Sequence, residues 1–143
     1  MEIKKLDRKM YKGRKFVLRY ITSGYYDIAK SNTGFQIEYK RFDKPTEMTF
    51  DDCMFNEWLE DPVAYGAFED GQLLGYVEGT LEKWNNRYRI SNICVFDDTQ
   101  RHNGVGTALM NTILKEAKES GARMVVLETQ ICNENAIAFY HKN

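Results

Sequence analysis

YRISNICVFDDTQRHNGVGTALMNTILKEAK, residues 88–118, decides how this chain folds. Tyr88 to Val95 alternates large with small or polar side chains and ends in Ile93, Cys94 and Val95, as a strand in a covered sheet does. Asp97 to Asn103 is wholly polar, so the chain leaves the sheet there. From Gly104 onward, Val105, Leu109, Ile113 and Ala117 recur at helical spacing, with Asn111, Lys115, Lys118 and Glu119 on other faces, and Gly121 supplies a helix stop. The stretch therefore reads strand, loop, helix.

Gly104 and Gly106 let the backbone pass close to a ligand while the first N–H groups of the helix have no helical acceptor. Such a helix start favours an anion, because its dipole amounts to about half a unit charge and phosphate oxygens accept the free donors. Arg101, just upstream, adds a formal positive charge. A dinucleotide fingerprint needs a third glycine where this chain has Leu109, and a nucleotide-hydrolase loop needs Gly-Lys-Ser/Thr where it has Gly106, Thr107 and Ala108. Neither nucleotide motif is present.

Working outward, Lys15 to Tyr26 and Phe35 to Phe42 read as strands rich in β-branched and aromatic residues, the first bent at Gly24. Thr49 and Asp52 at capping-box spacing, followed by Met54, Phe55, Trp58 and Leu59, predict a short helix closed by Asp61-Pro62. Val63 to Phe68, the turn Asp70-Gly71 and Gln72 to Glu82 predict a hairpin. Its second strand would carry Leu73, Val77 and Leu81 on one face and Tyr76, Glu78 and Glu82 on the other. Arg123 to Thr129 is a further strand, which a helical crossover makes parallel to Tyr88 to Val95, and Asn133 to Lys142 is a last helix. The two parallel strands would part where Val95 and Thr129 end, leaving a cleft beside the helix start.

Composition bounds the chemistry. With 143 residues, 43% hydrophobic and 29% charged, the chain is long enough for one globular domain, residues 1–143, with a substantial core. Its apolar runs are too short to span a bilayer, and the N-terminal MEIKKLDRKMYKGRK is basic without an apolar stretch, so neither a membrane span nor a leader is expected. Cys53, Cys94 and Cys132 are odd in number and far apart, and His102 and His141 are equally dispersed. That spacing argues against disulfides and metal, and suits a cytoplasmic protein. Residues 45–82 hold ten acidic and no basic residues, whereas residues 1–44 hold twelve Lys/Arg against five Asp/Glu. The middle of the chain is thus either solvated surface balanced by the basic first third or a mouth that attracts cations. No nucleic-acid motif accompanies the basic residues, so nucleic acid is not an expected partner.

Arg101-x-x-Gly104-x-Gly106, between a strand and a helix, resembles the pyrophosphate loop of the GNAT superfamily of acetyl-coenzyme A dependent N-acetyltransferases. Asn133-x-x-Ala136-x-x-Phe139-Tyr140 resembles a second superfamily motif, in the expected order with a strand between. The segments WNNRYRISNICV, LETQ and NENAIAFYHKN are most similar to streptothricin acetyltransferases. This likeness is good from Trp84 onward and poor over the first third. It implies an α/β (α+β) fold of the GNAT type, with a mixed, mostly antiparallel central sheet flanked by helices. It also implies that the chain stops before the last two family strands, which would leave Arg123 to Thr129 as an exposed sheet edge, so that either the chain is truncated or incompletely observed or a second subunit covers the edge.

The resemblance further implies that acetyl-CoA is the cosubstrate, held by Ile93, Cys94, Val95, Arg101, His102, Asn103, Gly104, Val105, Gly106, Thr107, Asn133 and Tyr140. Backbone amides at Ile93 to Val95 would polarise the acetyl carbonyl, Asn133 would face the pantetheine arm and Tyr140 would protonate the leaving thiolate. Asn133 also reads as a helix cap, and Tyr140 as a core aromatic. The amine must lose a proton before attack, and Glu78, Glu82 and Glu128 are the candidate bases. Asn92 is a further substrate contact. The expected acceptor is a primary amine on a small cationic molecule of the streptothricin kind. A protein or peptide amine is the alternative acceptor, and a non-catalytic CoA-binding module the alternative function.

Overall fold

Strong apolar patterning across residues 63–95 builds three consecutive antiparallel strands, and the computed structural model, which describes residues 1–96 and 103–143, shows them at the centre of a five-stranded sheet. The elements are β1 Glu2–Lys5, α1 Arg8–Tyr11, β2 Lys15–Ser31, β3 Gly34–Cys53, β4 Val63–Glu69, β5 Gln72–Glu82, β6 Arg87–Val95, α2 Val105–Glu119, β7 Met124–Leu127 and α3 Glu134–Lys142. The main sheet has the order β1-β4-β5-β6-β7, antiparallel throughout except for the parallel pair β6 and β7. β7 thus stands at one end of the sheet. β2 and β3 form a separate two-stranded ribbon. The mixed, mostly antiparallel sheet with helices is the architecture the sequence predicts.

The chain divides into two compact units: residues 1–17 with 51–128, and residues 18–50 with 129–143. In the first, α2 lies against β4, β5 and β6 and buries Val105, Leu109, Met110, Ile113 and Ala117. Tyr65 on β4 donates to Glu116 Oε2 on α2 at 2.6 Å. Burial, reinforced by that carboxylate, pushes the Tyr65 hydroxyl up to about 12. In the second unit, Glu134 at the start of α3 accepts from the Ser23 N–H at 2.8 Å and from the Tyr39 hydroxyl at 2.7 Å, tying the helix to the β2–β3 ribbon. The Tyr26 N–H donates to the Ile131 carbonyl at 3.0 Å, and Tyr20 donates to the Gln130 amide.

One expectation fails, and two features go beyond the sequence reading. The short helix over 49–62 is absent: Thr49 to Cys53 finishes β3 and the rest is a series of turns. Asp52 accepts from Asn56 Nδ2 at 2.7 Å, and Phe55 takes a φ of 54°, so local side-chain bonding competes with the helix and a left-handed residue breaks it. Met54, Phe55 and Leu59 are still buried, while Trp58 is 69% exposed. Second, the basic N-terminus is structured, with β1 pairing Glu2–Lys5 against Phe68–Tyr65 of β4. Its polar residues suit an edge strand, a role that hydrophobic patterning cannot reveal.

The third concerns β5. Its face bearing Tyr76 and Glu78 is as buried as the other, and both residues have no exposed surface. The pairing of β5 with β6 slips between Glu78 and Gly79: Glu78 lies opposite Asn92 and Gly79 opposite Ile90, so Ser91 is an inserted bulge residue. Residues opposite each other share a face. The bulge therefore moves the even-numbered residues of β6 from one face to the other. Tyr88 and Ile90 share the α2 face with Leu81 and Gly79, whereas Asn92 and Cys94 join Glu78 and Tyr76 on the far face. The Ser91 hydroxyl donates to the Glu78 carbonyl at 3.1 Å and fixes the bulge.

Because Ile113 is fully buried where α2 meets the sheet, Ile113→Ala should lower unfolding free energy by about 2–5 kcal/mol. Denaturant titration measures this, and a loss below about 1 kcal/mol would mean that α2 is not packed as described.

Candidate active site

The parallel ladder between β6 and β7 pairs Arg87 to Ile90 with Met124 to Leu127 and goes no further along β6. Among the described residues Ser91 to Val95 pairs as a strand with β5 on one edge only. The Phe96 N–H donates to the Leu74 carbonyl at 2.9 Å, which sets the alternation: Phe96 and Cys94 turn their amides toward β5, and Ile93 and Val95 turn theirs to the edge that β7 has left. Of the three strand residues proposed to touch the cosubstrate, two thus aim a backbone donor at the widening between parallel strands.

α2 begins at Gly104, whose φ of 82° lies in the left-handed region that glycine occupies without strain. Among the described residues no side chain caps this end. The first helical bond runs from the Ala108 N–H to the Gly104 carbonyl at 2.9 Å, so the amides of Val105, Gly106 and Thr107 have no acceptor within the helix. A Cβ built on Gly104 would meet no atom within 4 Å. A helix start of this kind fits a diphosphate: it presents parallel donors, a positive dipole end and open space. Arg101 and His102 lie outside the described residues, and Asn103 immediately precedes the turn.

On the far face of the sheet, Glu78 Oε1 accepts from the Phe55 N–H at 2.7 Å, while Oε2 is buried with no hydrogen-bond partner among the described residues. Burial raises the Glu78 carboxyl from its ordinary 4.5 to about 7. The Phe55 N–H and the neighbouring Asn92 amide oppose the shift, the Asp52 charge adds to it and the Arg8 guanidinium subtracts. A carboxyl so placed exchanges protons in the neutral range. The Tyr76 hydroxyl is likewise buried and unpartnered among the described residues, and burial pushes it far above the ordinary phenol range.

The other two candidate bases sit differently. Glu82 bonds to Arg87 and, at 2.8 Å, to Arg89, and these hydrogen bonds hold its carboxyl below the usual glutamate range. Arg89 also donates to exposed Glu128 at 2.8 Å. Both carboxylates belong to one ion-paired cluster on the strands β5, β6 and the segment after β7. In the second unit, Asn133 caps α3 by accepting the Ala136 N–H at 3.2 Å, and half-buried Tyr140 packs edge-on against Phe139 at 5.6 Å.

Sequence reading missed Asp52, taken as a helix cap. Its Oδ1 accepts from the Cys53 N–H at 2.8 Å and from Asn56, and its Oδ2 from Asn92 Nδ2 at 3.3 Å. The bulge that brings Asn92 to this face leaves no mark in a period-two pattern. Among the described residues no helix is long and apolar enough to cross a membrane, and no cluster of three or more His, Cys, Asp or Glu is placed to hold a metal ion.

Glu78 makes stability depend on pH with a definite sign. Its folded value lies above its unfolded one, so its contribution is intact below about pH 4.5 and is lost as pH rises through about 7, by up to ~3 kcal/mol. Glu78→Gln should remove this term. Guanidinium unfolding at pH 5 and pH 8 should show a fall in wild-type stability about 2 kcal/mol larger than that of the variant; equal falls would contradict the burial of an ionisable Glu78.

The profile of the Acetyltransferase (GNAT) family matches residues 30–143. Over 107 residues the chain is 33% identical to streptothricin acetyltransferase A of Bacillus subtilis (strain 168), covering 73% of this chain and 61% of that protein. Over 123 residues it is 29% identical to the streptothricin acetyltransferase of Escherichia coli, covering 86% of this chain and 68% of that protein. The chain therefore spans about three fifths of the length of the Bacillus subtilis relative. Among solved structures, nourseothricin acetyltransferase superposes with a TM-score of 0.77 at 24% identity, covering 99% of this chain and 80% of that one. A Bacillus anthracis str. Ames protein, solved in complex with acetyl coenzyme A, superposes with a TM-score of 0.67 at 22% identity, covering 99% and 81%. These two likenesses establish a shared fold. With its glycine-opened helix start, parted parallel strands and a family match over most of its length, the chain belongs to the acetyltransferase (GNAT) family.

Proposed function

We propose that the chain transfers the acetyl group of acetyl-CoA to a primary amine of a small cationic acceptor, with a streptothricin-type antibiotic as the substrate. The observation that carries this reading is the glycine-opened start of α2, whose first amides have no acceptor within the helix, in a chain of the GNAT family. The names of the Bacillus subtilis and Escherichia coli relatives support the choice of acceptor, and the acetyl-CoA bound to the Bacillus anthracis protein supports the choice of donor.

In this reading the amides of Val105, Gly106 and Thr107 bind the pyrophosphate, joined by the segment Arg101 to Asn103. The Ile93 and Val95 amides lie along the pantetheine and thioester, where one of them polarises the carbonyl oxygen as it becomes an oxyanion. Glu78 takes the ammonium proton, directly or through a water. The neutral nitrogen then attacks the acetyl carbon, the C–N bond forms and the C–S bond breaks. Tyr140 gives its proton to the departing sulfur, and Asn133 faces the pantetheine arm from the start of α3. Glu78 is favoured over Glu82 and Glu128 because those two are already bonded to Arg87 and Arg89. A second subunit against β7 and a cytoplasmic location belong to the same reading.

Coenzyme A thiol release in the presence of streptothricin and a panel of small amines and lysine peptides tests the reaction. Release that depends on streptothricin is expected; tight acetyl-CoA binding without release on any amine would contradict the enzyme reading. With Glu78 as base, kcat/KM should rise with pH through about 7. Glu78→Gln should lower kcat about 10²–10⁴-fold and flatten that rise. An unchanged pH profile in the variant would remove Glu78 from the role.

A further inference from the structure

The far face of the sheet holds a carboxylate for which the reaction as drawn has no use. Asp52 is half-buried and held by three donors: the Cys53 N–H, Asn56 Nδ2 and Asn92 Nδ2. Asn56 is itself fixed, accepting from Cys53 Sγ at 3.0 Å and donating to the Cys53 carbonyl at 3.1 Å. Asn92 sits opposite Glu78 across the bulge, so Asp52 and Glu78 flank one asparagine, and the Asp52 charge adds to the upward shift of Glu78.

Two neighbouring carboxylates repel unless one is protonated or a cation lies between them. Arg8 is felt at Glu78 as the last and smallest of the influences on it. The deepest polar atoms of the cluster, Glu78 Oε2 and Tyr76 Oη, are both without hydrogen-bond partners among the described residues, although both side chains have no exposed surface. Tyr76 stands two residues before Glu78 on the same face of β5, and its hydroxyl is pushed up first by burial, with the charges of Cys94, Glu78, Asp52 and Cys53 adding to the shift. Buried polar atoms are nearly always paired, so two orphans beside an anchored carboxylate mark a place for a further hydrogen-bonding group. An ammonium has the required chemistry: three donors, no acceptor and one positive charge.

We propose that Asp52 and the Tyr76 hydroxyl form, with Glu78, the subsite that receives the acceptor's ammonium group, and that Asp52 is the residue that selects cationic amines. The proposal rests on the reading of Glu78 as the base. Asp52 and Tyr76 Oη hold two of the ammonium hydrogens and Glu78 receives the third, so the nitrogen becomes neutral while Asp52 keeps its orientation. Asp52 and Asn92 are half-buried, whereas Glu78 and Tyr76 lie fully beneath the surface.

Two measurements separate this subsite from the reaction itself. In steady-state kinetics with streptothricin and saturating acetyl-CoA, Asp52→Asn should raise the acceptor KM about tenfold or more with kcat within about threefold, the loss expected for one charge-assisted hydrogen bond. Asp52→Glu should recover part of the loss. Tyr76→Phe, which keeps the ring against Phe16, should raise the same KM several-fold. An unaltered acceptor KM in Asp52→Asn would overturn the assignment. Independently, protein carrying ¹³C-carboxyl glutamate is titrated with methylammonium chloride against a potassium chloride control. The Glu78 signal should move with methylammonium in wild type and not in Asp52→Asn. If it fails to move in wild type, the subsite is wrong, whatever acetyl transfer shows. If it moves but no amine is acetylated, the subsite stands and the reaction is wrong.

Discussion

β6 carries the architecture because it cannot be paired on both edges along its whole length. Arg87 to Ile90 is bonded to β5 and β7, but Ser91 to Val95 has β5 alone, since β7 is four residues long. Parallel strands need a crossover between them, and here the crossover is α2. Its start therefore falls at the end of β6, where the strand's spare donors at Ile93 and Val95 begin. A place rich in backbone N–H groups, backed by a buried helix face, follows from one short strand and one well-packed helix. Val105, Leu109 and Ile113, each at most 2% exposed, hold that helix start in register with the sheet.

The Ser91 bulge supplies the second half of the site. If the Gly79–Ile90 register simply continued, Ser91 would lie opposite Glu78 and Asn92 would face α2 beside Val77. With the bulge, Glu78, Asn92 and Tyr76 share one face with the Asp52 to Phe55 turn, and the Phe55 N–H donates to one oxygen of a buried carboxyl whose other oxygen has no partner among the described residues. Burial dominates its proton affinity, and the nearby charges of Asp52 and Arg8 act in opposite directions. The two halves use different physics: fixed backbone dipoles on one side, a displaced titration on the other.

The strand, helix and strand from Tyr88 to Leu127 were legible because each obeys a strong local rule: alternation, helical spacing with a glycine on either side, and a crossover that demands parallel pairing. The Asp70-Gly71 turn was equally clear, both residues taking positive φ. The region from Thr49 to Pro62 was not. Its apolar spacing imitates a helix, but Asp52 and Asn56 satisfy each other and Phe55 turns left-handed, so the segment becomes an anchored loop. The candidate bases were found as a set of three, yet nothing in the sequence ranks them. That ranking depends on Arg87 and Arg89 reaching Glu82 and Glu128, and on a bulge invisible to periodicity. The glycines at 104 and 106 were read correctly as a helix start, whereas the hydrogen bonds that hold Asp52 needed coordinates.

Amide spectra of the uniformly ¹⁵N-labelled protein, recorded while acetyl-CoA is added, test most directly the claim that the spare backbone donors of β6 and α2 receive the cosubstrate. The account predicts the largest shifts at Ile93, Val95, Val105, Gly106 and Thr107, with Cys94, whose amide faces β5, moving less. Saturable binding that leaves those five amides in place and perturbs others would contradict it.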